Sequence, residues 1–549
     1  MIEPKPSPPR RGGVAALSAL SAIAALLAVG FVPGPAAAQE IRLRTSAPET
    51  VVAPELSVQE GAIQLSLDQA IELALRRNLL LIVERYSRAQ AEQGILQNMG
   101  IYDLFTDAEL STSDFQQATA SQLQASDFEE QQLNLGLSQL LPSGGNLTFD
   151  WDNSRQETNL IFSNLNPAFN SSAGFGLTQP LLRNFGRLAT ERGIMVARKN
   201  SAISAEAFEL QVTTTLLDVE TAYWDLVETR EQLTVAEEGL GLARELHDQN
   251  RVRVDVGTLA PLELVQSEVG IATREEEIIR AQSAIGNAED RLKRLLNVEE
   301  RELWGLPIVP LTAPETERVP LDLEQAIATA LAERPEIATQ RLILERSEID
   351  SAYFRNQKRP RLDLSARYGY GGVGGDLLLR DPETGEVVGT VPGGFDDALD
   401  QISGGDFPGW TLGLFWAFPL QNRTARAQSA IADIEVDKAQ AVLDDIDQFI
   451  STGVRTAVRA VETAAKAIDS ARVSRQLAEK NLDAERKRYE NGMSTSFQIL
   501  EIQEDLTAAR SREVSAVTEY RRALVEYHRA IGRLLEEHGV ALEDPAAAQ

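Results

Sequence analysis

The chain has 549 residues and a formal charge of −29, with 82 acidic against 53 basic side chains. That balance argues against a nucleic-acid surface, which needs clustered Lys and Arg. The absence of cysteine excludes disulfides, thiolate chemistry, Cys–zinc sites and an acylated N-terminal cysteine.

The N-terminus carries Lys5, Arg10 and Arg11, then an apolar stretch over 14–32. Pro33, Gly34 and Pro35 break it, and Ala36-Ala37-Ala38 follow. This is the layout of a secretory signal peptide over residues 1–38, with an uncleaved anchor as the competing reading. Beyond it, no apolar run approaches the roughly 18 residues of a spanning helix. Entry into a membrane would require strands closed into a barrel. Residues 39–64 mix Pro, Ser, Thr and charge and read as a flexible arm.

Leu65-Ser66-Leu67-Asp68-Gln69-Ala70-Ile71 opens the organised chain. Ser66 or Asp68 is placed to cap a helix that continues past Arg85 toward Asn98. A similar phrase, Leu321-Asp322-Leu323-Glu324-Gln325-Ala326-Ile327, returns 256 residues later. The pair marks an internal repeat, 65–303 and 321–536. After each short helix the apolar period changes to two, as in Leu133-Asn134-Leu135-Gly136-Leu137. The first copy has strand segments at 104–115, 131–140, 146–151 and 173–179. The second has them at 361–370 and 410–418. The alternation suits lipid-facing strands, with a soluble β-sandwich as competitor. Residues 371–406 and 153–170 read as long exposed loops.

Thr178-Gln179-Pro180-Leu181 and Ala417-Phe418-Pro419-Leu420 end the strand regions, since Pro cannot donate to a ladder. Arg183 and Asn184 just beyond read as interface polar groups. Long helical runs follow over 188–254 and 425–489. In the first, Phe208, Val212, Leu216, Val219, Tyr223, Leu226 and Leu233 recur at steps of three, four or seven. A run of about 65 residues would reach about 100 Å and needs neighbours of equal length. Both runs end on a glycine: Gly257 after Val256 and Gly492 after Asn491. These are candidate left-handed helix ends, with return helices over 262–296 and 497–535. The repeat offset falls from 256 to 235 by the turns, so the first copy holds extra residues near 140–170. A hairpin and a longer loop both fit. Pro307, Pro310, Pro314 and Pro320 mark 304–320 as a linker, and 537–549 is a tail. His247, His528 and His538 stand in no metal-ligand spacing, and no Ser-His-Asp set or phosphate loop is visible.

This order resembles the TolC-like outer-membrane efflux protein family over about 65–535. The resemblance rests on the two Leu-x-x-x-Gln-Ala-Ile openings, the Gln179-Pro180-Leu181 and Phe418-Pro419-Leu420 exits, and the turns Val256-Gly257-Thr258-Leu259 and Tyr489-Glu490-Asn491-Gly492. It implies an α+β membrane protein. Three copies would share a twelve-stranded β-barrel, four strands per protomer, continuous with a long periplasmic α-helical barrel built from two tandem repeats. The implied role is a passive exit duct of a tripartite efflux or type I secretion system, without cofactor, metal or catalysis. The implied partners are two further copies, a periplasmic adaptor, an inner-membrane pump of RND, ABC or MFS type reached through it, and outer-membrane lipid. A periplasmic adaptor or an envelope coiled-coil protein is the alternative.

The family's gate positions fall on Gln498 and Glu501, its link arginine on Ser494, and the link's acidic partner on Glu263. Residues 498 and 501 share one helix face, so in a trimer Glu501 would form a carboxylate ring. Adaptor contacts are expected at Val256, Gly257, Thr258, Leu259, Asn491, Gly492, Met493 and Ser494, with Leu259 and Met493 as exposed apolar handles. Trp410, Phe415, Trp416 and Phe418 are expected to face the membrane.

Overall fold

The computed structural model describes residues 57–541 apart from 119–124, 161 and 382–384. The expected signal peptide, most of the arm and most of the tail lie outside the described residues. Two strands come first, β1 (Ser57–Gln59) and β2 (Ala62–Leu65), then α1 (Leu67–Arg77) and α2 (Leu79–Met99). Four long strands follow: β3 (Phe105–Gln116), β4 (Asp127–Leu140), β5 (Asn146–Thr158) and β6 (Leu165–Pro180). The short α3 (Arg187–Thr190) precedes the hairpin of α4 (Arg192–Asp255) and α5 (Pro261–Leu295). Short α6 (Arg301–Trp304) and β7 (Ile308–Pro310) lead to α7 (Leu323–Glu333) and α8 (Pro335–Gln357). Then come β8 (Arg361–Arg380), β9 (Val387–Val391), α9 (Phe395–Gly404) and β10 (Pro408–Ala417). The second hairpin, α10 (Arg423–Glu490) and α11 (Ser496–Ala530), and the short α12 (Leu534–Glu537) end the described chain.

Local chemistry sets the boundaries. Ser66 Oγ accepts from Gln69 N at 3.2 Å while Gln69 Oε1 accepts from Ser66 N at 3.1 Å, a reciprocal cap for α1. Asp322 caps α7 through Glu324 N and Gln325 N. The helix expected to run unbroken toward Asn98 is interrupted at Asn78. Its side chain accepts from Leu80 N and Leu81 N and donates to Leu295 O, so it caps a new helix and pins it to α5. In the second half Arg334 takes the same place, extended because Pro335 follows.

α4 has 64 residues and α10 has 68, so each is about 100 Å long. Neither stands alone. Near the strands the helices pack in the order α2, α4, α8, α10; toward the glycine turns the order is α5, α4, α11, α10. Every level is thus a layer of four helices. One apolar core gathers Val212, Leu216, Val219, Tyr223 and Leu226 of α4 against Ile71 and Leu73 of α1, with Ile63 and Ile308. Its counterpart gathers Ile450, Val454 and Val461 of α10 with Ala330 and Ile337 against Tyr520 and Leu524 of α11.

β1, β2 and β7 form a small sheet, β2 pairing β7 in parallel. The end of the expected arm and part of the expected linker are therefore ordered strands on the first core. Tyr223 explains the docking: its hydroxyl donates to Leu65 O at 3.2 Å and accepts from Thr312 N at 2.9 Å.

The large sheet runs β10-β8-β6-β5-β4-β3, all antiparallel, with β9 on β8. The sheet of one chain holds six long strands, where the family resemblance implies that four per protomer enter the barrel. The extra residues of the first half form a full hairpin paired along its whole length, not a loop. The segments read as loops are also corrected. β5 and β6 extend through most of 153–170, while 371–406 contains the end of β8, β9 and α9. α9 lies on the sheet because Gly372 and Gly374 have no side chain; a Cβ on either would come within 2.1 Å of Ala398 O or Gly394 O.

Between the hairpins, α4 and α11 meet through polar side chains. Arg522 Nη1 donates to Asp225 and Glu228, both at 2.8 Å, and Ser515 Oγ donates to Glu228 at 2.6 Å. Burial alone would raise the Glu228 carboxyl; Ser515 and Arg522 outweigh it and hold its pKa below the ordinary value. Its contribution is therefore complete above the ordinary glutamate range and lost as pH falls through the lower folded value. Arg522→Ala should destabilise this seam by about 2 kcal/mol, read in thermal unfolding at neutral pH, and Glu228→Gln should flatten the acid limb of the stability profile.

Candidate conduit: a two-faced sheet and a latched tip

Residues opposite each other in a ladder share a face, so the registers define rungs across the sheet. One rung reads Thr106, Leu137, Phe149, Phe175, Tyr368 and Trp410. The next, on the other face, reads Asp107, Gly136, Asp150, Gly174, Gly369 and Gly409. Then come Ala108, Leu135, Trp151, Ala173 and Tyr370, and after them Glu109, Asn134, Asp152, Ser172 and Gly371. Apolar and polar rungs alternate across all six strands. One face is a band of Leu and aromatic side chains; the other is acidic and hydroxylic, with Arg367 lying 3.8 Å from Asp150 and 3.6 Å from Asp152.

Leu412, Leu414 and Trp416 continue the apolar face toward the helices, so Trp410 and Trp416 bracket it on β10. Trp410 is 77% exposed and Trp416 61%. Phe415 is corrected to the opposite face: it pairs with Asp363, and the Arg361 guanidinium lies 4.9 Å from its ring. Phe418 lies beyond the end of β10 and is half-buried. At the outer end of the band Asn153 and Ser171 are buried and mutually bonded. Asn153 donates to Leu133 O at 3.0 Å, Ser171 donates to Asn153, and the Trp151 indole donates to Ser171. Among the described residues no helix is long and apolar enough to cross a membrane.

The opposite end of the molecule is the pair of glycine turns. Gly257 has φ +79° and Gly492 has φ +75°. In both, the residue after the glycine donates back across the turn: Thr258 N to Arg253 O and Met493 N to Arg488 O, each at 2.8 Å. Val256 and Met493 are exposed, as are Gly257, Thr258, Asn491 and Gly492. Leu259 and Ser494 are half-buried, so the apolar handles at the tip are Val256 and Met493.

The two turns are joined by residues that the sequence reading missed. Asn250 is fully buried; it accepts from the Tyr489 hydroxyl and donates to Ser496 Oγ at 3.0 Å. Arg253 donates to the carbonyls of Tyr489 and Glu490 at 3.1 and 3.2 Å, and its guanidinium lies 4.5 Å from the Tyr489 ring. It thereby satisfies end carbonyls of α10 from the other hairpin and meets the negative end of that helix dipole. A signal existed: Asn250 continues the buried spacing of Ala243 and Leu246, where an apolar residue would be expected.

Gln498 and Glu501 lie together on an exposed face of α11. Glu263 does not join them. It sits on the other hairpin, half-buried, its backbone carbonyl 3.4 Å from the Asn250 amide and its Oε2 without a hydrogen-bond partner. Ser494, in the place of the link arginine, donates to Glu485 within its own hairpin. Arg183 is half-buried with its Nε unpaired, while Asn184 N and side chain bond Asn356 and Gln357 on α8. His247 contacts Ser267 and His538 contacts Glu220, both within the helical wall.

The sequence matches the outer membrane efflux protein family over residues 104–298 and 326–533, most of the chain. The chain belongs to that family. It is 22% identical over 459 residues to the outer membrane protein TolC of Escherichia coli K12, covering 82% of this chain and 85% of TolC. The fold resembles the Campylobacter jejuni CmeC outer membrane channel with a TM-score of 0.61 at 17% identity, covering 88% of each chain. It resembles the outer-membrane channel OprN with a TM-score of 0.62 at 15% identity, covering 85% of this chain and 89% of that one. As an outer membrane efflux protein, the chain is an exit duct of the outer membrane, with its helical part in the periplasm.

Within this outer membrane efflux protein, Gly257→Val and Gly492→Val should each strain a turn by about 1–2 kcal/mol, because the left-handed backbone disfavours a Cβ. Among the described residues no atom lies within 4 Å of the added Cβ, so the cost is conformational and local. Hydrogen exchange should quicken around the affected turn and remain unchanged in the sheet. Arg253→Ala should quicken exchange at both turns together, since one guanidinium ties them.

Proposed function

We propose that three copies assemble into a passive conduit whose membrane section is the large sheet and whose periplasmic section is the helical wall. The rung alternation carries this reading: a sheet apolar on one face and acidic on the other separates lipid from a water-filled lumen. A periplasmic adaptor or a coiled-coil protein would have no use for such a sheet.

The helices support assembly. The four-helix wall has two edges, and both carry exposed apolar side chains. One edge presents Leu80, Val83 and Tyr86 of α2, then Leu262, Val265 and Val269 of α5; the other presents Ile431, Ile434 and Phe449 of α10. Docking each edge on the next copy closes the wall and removes these residues from water.

Substrates would pass from an inner-membrane pump of RND, ABC or MFS type through a periplasmic adaptor seated on Val256 to Leu259 and Asn491 to Ser494. The same architecture serves type I secretion. Glu501, with Gln498 one turn before it, would face the lumen near the tip and appear three times around the axis. Three carboxylates at one level attract cations and repel each other. Glu263 would stand behind this ring, within the wall.

The purified protein should give discrete cation-preferring channels in planar bilayers. Glu501→Ala should lower that preference and change the single-channel conductance. If both stay as in the parent, the carboxylate ring is refuted; if no channels form from correctly folded protein, the conduit itself is refuted.

A further inference from the structure

We propose that all six long strands of each subunit enter the membrane wall and that β3 of one subunit pairs with β10 of the next, giving an eighteen-stranded barrel. This rests on the trimeric reading above. It goes beyond it by fixing the strand count, the joining edges and the width of the pore.

Three observations carry it. First, the additional hairpin has the chemistry of barrel wall. Leu133, Leu135 and Leu137 of β4 align with Phe149 and Trp151 of β5 on the apolar face, and Asp150 and Asp152 fall on the polar one. Folded away from lipid, that hairpin would leave a row of large apolar side chains in water; folded into the lumen, it would crowd them against acidic residues. β4 and β5 are also bonded on both sides, so neither can be omitted without breaking a full ladder.

Second, the free edges fit one another. Among the described residues β3 and β10 end the sheet, and each leaves one row of backbone groups unpaired. In lipid such rows must be bonded. Six strands alternating in direction put β3 and β10 antiparallel, because β3 leaves the helical end and β10 returns to it. The edge strands keep the common facing, with Ala108 and Leu110 on one side of β3 and Leu412 and Leu414 on the same side of β10.

Third, the circumferences agree. Three subunits place twelve helices around the tube, which at about 9–10 Å between axes gives about 110 Å. Eighteen strands spaced about 4.8 Å and tilted about 40° also give about 110 Å, whereas twelve give about 75 Å. Six strands per subunit let the tube pass into the membrane without narrowing.

Electron cryo-microscopy of the detergent-extracted particle counts the strands. The expected result is eighteen, with β3 beside β10 of the neighbour. A twelve-stranded wall, with one hairpin lying outside it or in the lumen, overturns the proposal. A wall of six strands per subunit in a particle with another number of subunits upholds β3–β10 joining and overturns the trimeric reading and the eighteen-strand count. The chain has no cysteine, so disulfide mapping is clean. Ala108→Cys combined with Leu412→Cys or Leu414→Cys should give covalent oligomers on oxidation in at least one pairing. Phe149→Cys combined with the same β10 positions should give none, and covalent oligomers from that pair would contradict the proposal.

Discussion

A backbone in lipid has no water to bond, and each side chain there has only one acceptable direction to point. The alternating rungs of the large sheet answer both demands at once. Hydrogen bonds between strands satisfy the backbone, and the period of two sends Leu and aromatic side chains one way and carboxylates the other. The remaining demand is at the edges. A sheet of six strands with two free edges would be incomplete in a membrane, and the assembly proposed above completes it as a barrel.

The helical half faces the same problem in a different medium. A single layer of four helices has two exposed faces, which accounts for its polar composition. It cannot rely on one thick apolar core. Stability is concentrated where the short helices α1 and α7 thicken the wall, and elsewhere the seam between hairpins is held by side chains such as Arg522, Gln232 and Ser515. At the tip, the Asn250–Tyr489–Ser496 cluster and Arg253 tie one hairpin to the other. Polar links of this kind fix the register of one hairpin against the other.

Much of this was legible in the residues. The long helices, both glycine turns and the six strand segments all follow from period and punctuation, within a few residues for the helices. The losses have physical causes. Asn78 looks like an ordinary polar residue of a helix until its bond to Leu295 O, more than two hundred positions away, is seen. α9 was hidden because its docking depends on the missing side chains of Gly372 and Gly374, which in sequence suggest a loop. Phe415 was misassigned by counting aromatics without counting parity, although Trp410 and Trp416 share a parity that Phe415 lacks. The six strand segments are legible in the sequence, whereas four per protomer in the barrel is what the family resemblance implies. The tip cluster was missed because polar residues at buried helix positions declare themselves only through partners on another hairpin.

In the assembly proposed above, the strand and helix edges of one chain are covered by copies of itself. Light scattering on the detergent-extracted protein, corrected for bound detergent, measures that directly. The account predicts a particle of three chains with no stable single-chain form. A folded single chain that remains dispersed in water without detergent would contradict it.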